Sequence, residues 1–197
     1  MRTRIAIFVL ALAACAPSAG ERVKSNVKEF NAEQSAKTLI ERGRAFASVG
    51  DLTRAEQYFA AALDQGGDEK QILPLLLSVC AQDGRYRVAI SYAESYLKKH
   101  PNDVHARFVL GTLHAAVGNA PEAKVELERV LVQNPGEAQA HFALATVIRD
   151  NQGDLTSADH HFREYLRLSP EGTHAEEARA SLLKTVPLPA AAEKAAE

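Results

Sequence analysis

Seven histidines and two cysteines are the side chains of this 197-residue chain best able to do chemistry. A metal site or a proton relay needs such groups at fixed spacings, so the spacings decide what they can do. His160 and His161 are adjacent; on a helix they point about 100° apart and cannot chelate as an i, i+4 pair would. His100, His105, His114, His141 and His174 are scattered. There is no HExxH, no CxxC and no glycine-rich phosphate loop, and no serine sits in a nucleophile elbow. No catalytic residue, metal site, cofactor or small-molecule substrate is expected, and the chain reads as a non-enzyme. Cys80 admits two readings. One is a reactive or intermolecular thiol. The other, favoured by its inward-facing place on a helix, is a small buried core residue.

Cys15 sits in a different setting. Met1-Arg2-Thr3-Arg4 is a short basic start, and Ile5 to Leu12 is an uncharged apolar run. This is the pattern of an export signal, too short for a membrane-spanning helix. Leu12-Ala13-Ala14-Cys15 comes directly after it and resembles the lipobox of bacterial lipoproteins. The resemblance implies a signal peptide over 1–14, cleavage after Ala14, and an acylated (palmitoylated) Cys15 at the mature N-terminus. Each buried CH₂ contributes about 0.8 kcal/mol, and several chains together hold a protein on a bilayer. A plain secretory peptide cleaved after Ala16 is the alternative, since Ala14-Cys15-Ala16 fits the small-x-small rule. Ala16, where inner-membrane retention would want Asp, implies by resemblance to enterobacterial lipoproteins the outer membrane, facing the periplasm. Residues 15–35 are polar and read as a tether. Val23, Val27 and Phe30 have helical spacing, which allows a helical lead-in over its second half.

The rest of the chain is organised by a glycine with an alanine five residues later. The pairs are Gly50 and Ala55, Gly84 and Ala89, Gly118 and Ala123, Gly153 and Ala158. The glycines recur every 34 or 35 residues, and a fixed period of that length marks a repeat protein. Each stretch reads as a turn between two helices, with the glycine at φ > 0. Thr53-Arg54-Ala55-Glu56, Thr156-Ser157-Ala158-Asp159 and Thr173-His174-Ala175-Glu176 read as capping boxes. Pro121 suits the first position of its helix. Pro101, Pro135 and Pro170 stop the second helix of a repeat.

In that frame the chain resembles the tetratricopeptide repeat (TPR) family over residues 36–170. Leu39, Gly43 and Phe46, then Ala55, Phe59 and Ala62, carry the signature in repeat one. Leu110, Gly111, Ala123, Leu127 and Val130 carry it in repeat three, and Leu144, Ala145, Ala158, Phe162 and Tyr165 in repeat four. The resemblance implies an all-α, right-handed superhelix of four helix-turn-helix repeats (36–69, 70–103, 104–137, 138–172). A capping helix over 173–185 and a tail over 186–197 complete it. The small residue in helix A (Gly43, Gly111, Ala145) and the alanine in helix B let the two approach, while larger residues fill the space. Departures are visible. Gly66-Gly67 replaces the closing proline of repeat one and predicts a looser end. Repeat two has Leu77 at a small position and Ala93 at a large one. Repeat four has one extra residue near Asp150-Asn151-Gln152, which lengthens the turn or distorts the end of its first helix.

Family members commonly bind peptides on the concave face lined by helix A. The matching positions here that carry the partner reading are Arg44, Gln71, Ser78, His105, Phe108, Thr112, Gln139, Phe142, Thr146 and Arg149. The Lys/Asn/Arg carboxylate clamp of the chaperone-binding subset is replaced by Ile40, Arg44, Ser78, Phe108 and Thr112. An apolar stripe, Phe108 and Phe142, edged by arginines and small hydroxyls, suits an extended or helical segment of a protein partner with apolar anchors. The alternative is that both rings pack against neighbouring helices.

A formal net charge of -2 gives no basic surface for nucleic acid. The leading reading is a membrane-anchored scaffold in the bacterial envelope that docks another envelope protein. Tyr165-Leu166-Arg167-Leu168-Ser169-Pro170, then His174-Ala175-Glu176-Glu177-Ala178, looks like TPR lipoproteins that assist assembly of type IV pili and secretins. The second reading is an accessory regulator of a cell-wall or exopolysaccharide enzyme.

Overall fold

The structure, a computed structural model, describes residues 35–151 and 153–184. The export signal, Cys15, the tether before residue 35 and the tail from 185 onward lie outside the described residues. Within them the chain is all-helical: α1 (35–48), α2 (Leu52–Asp64), α3 (Glu69–Gln82), α4 (Tyr86–Lys99), α5 (Val104–Ala116), α6 (Ala120–Gln133), α7 (Ala138–Asn151), α8 (Leu155–Leu168) and α9 (Ala175–Ala180). Each helix from α2 onward packs on the next in the chain, so the helices form a row of antiparallel pairs. The segment read as a capping helix, 173–185, holds the six-residue α9.

The turns arise from backbone hydrogen bonding. At Gly50 the φ angle is 78°. The Gly50 N–H donates to the Ala47 carbonyl at 3.1 Å, and the Asp51 N–H reaches back to Phe46 at 3.0 Å. This is a Schellman turn, and its left-handed residue is where glycine has no Cβ penalty. The same pair of bonds recurs at Gly84 and Gly118. Helix starts differ from the expected capping boxes. The N-cap of α2 is Asp51, whose carboxylate accepts from the Arg54 N–H, and that of α8 is Asp154, accepting from Ser157. Aspartate two residues before each threonine is the stronger acceptor, and it places the helix start earlier. At α9 the N-cap is His174, with no side-chain cap bond. Asp68 and Asp103 cap α3 and α5. The prolines behave as expected: Pro121 lies at the start of α6, and Pro101, Pro135 and Pro170 come after the ends of α4, α6 and α8.

Gly66-Gly67 makes a tight end where the sequence suggested a loose one. The Gly67 N–H bonds the Ala62 carbonyl at 2.9 Å, and a Cβ on Gly67 would lie 2.6 Å from Ile72 Cδ1. The second glycine is there for close approach between α2 and α3. The extra residue of repeat four extends α7: it has 14 residues against 13 for α5, and both end two residues before their turn glycine.

The core interlocks large against small. A Cβ on Gly43 would meet the Phe59 ring at 2.5 Å, and one on Gly111 would meet Leu127 Cγ at 2.9 Å. Ala145 and Phe162 hold the same two places in repeat four, both fully buried. In repeat two they are Leu77 and Ala93, both buried in the same cluster, so volume has moved from the second helix to the first. Buried apolar side chains form two clusters. One runs from Ala36 to Leu113, the other from Ala120 to Ala178. Burying a side chain such as Phe59 contributes about 1.5–3 kcal/mol, and Cys80 is one of these fully buried groups. Burial pushes its thiol up to about 11, so it is protonated and inert at neutral pH.

Candidate functional site

The concave face carries an apolar pocket of about 440 Å³ between α3 and α5. Its floor is Leu73, Leu77, Ala106, Val109 and Leu113; its rim is Lys70, Pro74, Ser78, His105 and Thr112. The local sequence explains the opening. Pro74, at an exposed position inside α3, has a compact ring and no N–H. Ser78 is short, and its hydroxyl accepts from Gln82 Nε2 at 2.9 Å. Thr112 turns its hydroxyl back onto the Val109 carbonyl at 2.8 Å. Small or inward-bonded groups on both walls leave the floor uncovered.

The lower end is braced. Asp103 caps α5 by accepting from the Ala106 N–H at 3.0 Å and also accepts from the Tyr96 hydroxyl at 2.7 Å. Burial pushes this carboxylate up, but the two hydrogen bonds outweigh it and hold it below the usual range. The Tyr96 phenol, buried and facing that carboxylate, is pushed up to about 12. The one carboxylate in the pocket is therefore committed, and the rim offers donors: Lys70, the Ser78 hydroxyl and the His105 ring.

Of the residues picked from the sequence, Ser78, His105 and Thr112 meet in this pocket. Arg44 and Gln71 are exposed and lie outside it. The remaining positions are engaged elsewhere. Phe108 is half-buried and packs on the second cluster. Phe142 stacks on His174 at 4.1 Å between centroids, with Phe162 edge-on at 5.8 Å and Tyr165 at 5.3 Å. Phe142 is thus covered by the segment leading into α9, while Phe108 leans on the second cluster. The Tyr165 hydroxyl accepts from the His174 N–H at 3.0 Å and pins that cover. Thr146 donates to the Phe142 carbonyl at 3.0 Å, and Gln139 is half-buried. Arg149 fastens the end of the array: it donates to Ser181 Oγ at 2.8 Å and lies 3.7 Å from Glu177 and 2.7 Å from Asp150. Sequence reading missed Lys70 and the floor residues. The available signal was Leu77, a large residue at a position that elsewhere is Gly or Ala.

Two scattered histidines also come together. His141 Nδ1 and His161 Nδ1 are 3.0 Å apart, and His141 Nε2 is 3.1 Å from the Pro135 carbonyl. A carbonyl only accepts, so His141 carries a proton on Nε2, and with that ring neutral its Nδ1 accepts from the His161 Nδ1–H. Burial, then the charges of His141 and His160, push His161 down to about 4. Among the described residues no group of three His, Cys, Asp or Glu could hold a metal ion. No helix of the described residues is long and apolar enough to cross a membrane.

Comparison with known proteins places these features. Mouse aryl-hydrocarbon-interacting protein-like 1 is 35% identical over 75 residues, covering 36% of this chain and 23% of that protein. The bovine protein is a further such match. The chain thus spans less than a quarter of the length of the curated relatives it matches. Among solved structures, YrrB, a TPR protein with an unusual peptide-binding site, has a TM-score of 0.63 at 20% identity, covering 82% of this chain and 88% of its own. A TPR protein from Parabacteroides merdae gives 0.66 at 22% identity, covering 75% of this chain and 59% of its own. MamA from Desulfovibrio magneticus gives 0.61 at 18% identity, covering 80% and 99%. Two family models of the tetratricopeptide repeat match residues 40–104 and 81–147. Together these cover more than half of the sequence, and the chain belongs to the tetratricopeptide repeat family.

Proposed function

We propose that the protein is an adaptor that seats a segment of another envelope protein in the pocket between α3 and α5, while an acylated Cys15 holds it on the bacterial outer membrane, facing the periplasm. The observation that carries the docking reading is the open apolar floor of Leu73, Leu77, Val109 and Leu113 under a rim of donors. Concave sites of this size bury apolar anchors and orient them by a few polar groups. The likeness to YrrB, a TPR protein with an unusual peptide-binding site, supports a polypeptide ligand. The lipobox supports the anchor. The phrase from Tyr165 to Ala178, like that of TPR lipoproteins serving pili and secretins, supports assistance to pilus or secretin assembly. The alternative role is accessory regulation of a cell-wall or exopolysaccharide enzyme.

Affinity capture from solubilised envelope membranes tests this. The native chain should recover a secretin or pilus component, and Ser78→Trp, which fills the pocket from an exposed position, should not. Equal recovery by both would sink the pocket reading. Recovery of hydrolases or synthases alone would select the enzyme-accessory role. Cys15→Ser should move the protein from the membrane to the soluble fraction; unchanged fractionation would end the anchor reading.

A further inference from the structure

The outer side of α6 is left without a partner. Its inner side is buried through Ala123, Leu127 and Val130, and the helix packs on α5 and α7. Directly opposite run Pro121, Val125 and Val132, with Val125 44% and Val132 82% exposed. Seven residues separate the two valines, so they lie on one line along the helix. Glu122 and Arg129, also seven apart, form one flank of that line. They border a trough of about 680 Å³ between α4 and α6, so nothing crowds that flank. Arg129 donates one N–H to Glu126 at 2.6 Å. Glu122 has no ion pair among the described residues.

We propose that this face docks a second copy of the chain, α6 against α6 in the antiparallel sense. A single register, centred near residue 126, satisfies the whole face to within a turn of helix. Val125 meets the partner's Val125 beside the two-fold axis, and Val132 covers the partner's Pro121. In an antiparallel pair like flanks meet, so Glu122 falls beside the partner's Arg129 and Arg129 beside the partner's Glu122. On the other flank Lys124, which pairs with Glu128 of its own chain at 3.8 Å, falls beside the partner's Glu128 as well. Such self-complementarity is what an isologous two-fold contact demands, and the alternation of charge selects this occupant over a generic apolar one. One helix face is well short of the roughly 800 Å² per partner of a stable complex, so the association is weak and depends on concentration.

Sedimentation velocity of the full chain, from about 10 µM to about 1 mM, reads the equilibrium. A reversible monomer–dimer shift is expected. Glu122→Arg and Arg129→Glu, both at exposed positions, should each weaken it about tenfold, because each turns two attractive pairs into repulsive ones. The double exchange, Glu122→Arg with Arg129→Glu, should restore it, and Val125→Glu should abolish it. Far-UV circular dichroism confirms that each variant keeps its helices. A monomer at every concentration, single reversals without effect, or a double exchange that fails to restore association would each overturn the proposal.

Discussion

Between α3 and α5 the concave face is open; at α7, where the array ends, the same frame position is closed. Pro74 corresponds to Phe108 and Phe142, each one repeat further on. In the first half the frame position holds a compact ring, and the wall beside it is Ser78. In the second half it holds a phenylalanine that the residues before α9 cover with His174. One backbone arrangement thus serves two purposes, and side-chain volume decides which. Where the array must end, aromatic rings bind the last pair of helices to the cap. Where the face stays open, the ring is withheld.

The largest expected effect comes from emptying the closed half. Phe142→Ala removes the ring that His174, Phe162 and Tyr165 share, and should lower stability by about 3 kcal/mol, read as the midpoint of urea unfolding. Retained stability with lost partner capture would mean that the ring serves a ligand and that the two halves are alike. Filling the open half is the reciprocal change. Pro74→Phe places a ring at the equivalent position and restores an N–H to α3. Stability should rise by about 1–2 kcal/mol while partner capture is lost; capture at native strength would show that the pocket is not the docking place. A smaller loss, under about 1 kcal/mol, is expected for Arg149→Met, which unfastens α9 from the end of α7. Limited proteolysis should then cut first near residue 180, and an unchanged pattern would assign the cap's hold to Phe142 alone.

The remaining effect is protonic and confined to the closed half. His161 has a folded value of about 4, depressed from 6.5 by burial and by His141 and His160. A depressed base is bound to fewer protons in the fold than in the unfolded chain between those values. Its contribution is therefore complete above about pH 6.5 and falls as pH drops toward 4. A His161→Phe variant should lose this slope in thermal midpoints measured from pH 7 to 4.5, and an identical slope in both proteins would reassign it to the carboxylates.

The fold was legible because its signals are local. Gly50, Gly84, Gly118 and Gly153 each specify a left-handed turn, and the alanine five residues on fixes how close the helices can come. The site was legible only in part. Frame equivalence groups Ser78, His105 and Thr112, which line one pocket, but equivalence treats Phe108 and Phe142 as it treats Pro74. Whether a concave residue is free depends on the segment after the last repeat, and that is a contact between His174 and a ring 32 positions earlier. The pocket floor escaped notice because Leu73 and Leu113 read as ordinary core leucines and Leu77 only as a departure from the repeat. The approach of His141 to His161 is likewise invisible along the chain, since it depends on how α7 and α8 face each other. Asp51 and Asp154 were in plain view as caps, yet the threonines behind them matched a familiar motif and drew the helix starts inward.

The two buried clusters meet at α5 and α6, where Gly111 leaves room for Leu127 and Phe108 of α5 reaches across to the second cluster. Mechanically this makes α5 a shared beam. Its Val109 and Thr112 wall the open pocket, while its Gly111 bears on the far cluster one turn away. A load placed in the pocket is carried across the joint by the beam itself.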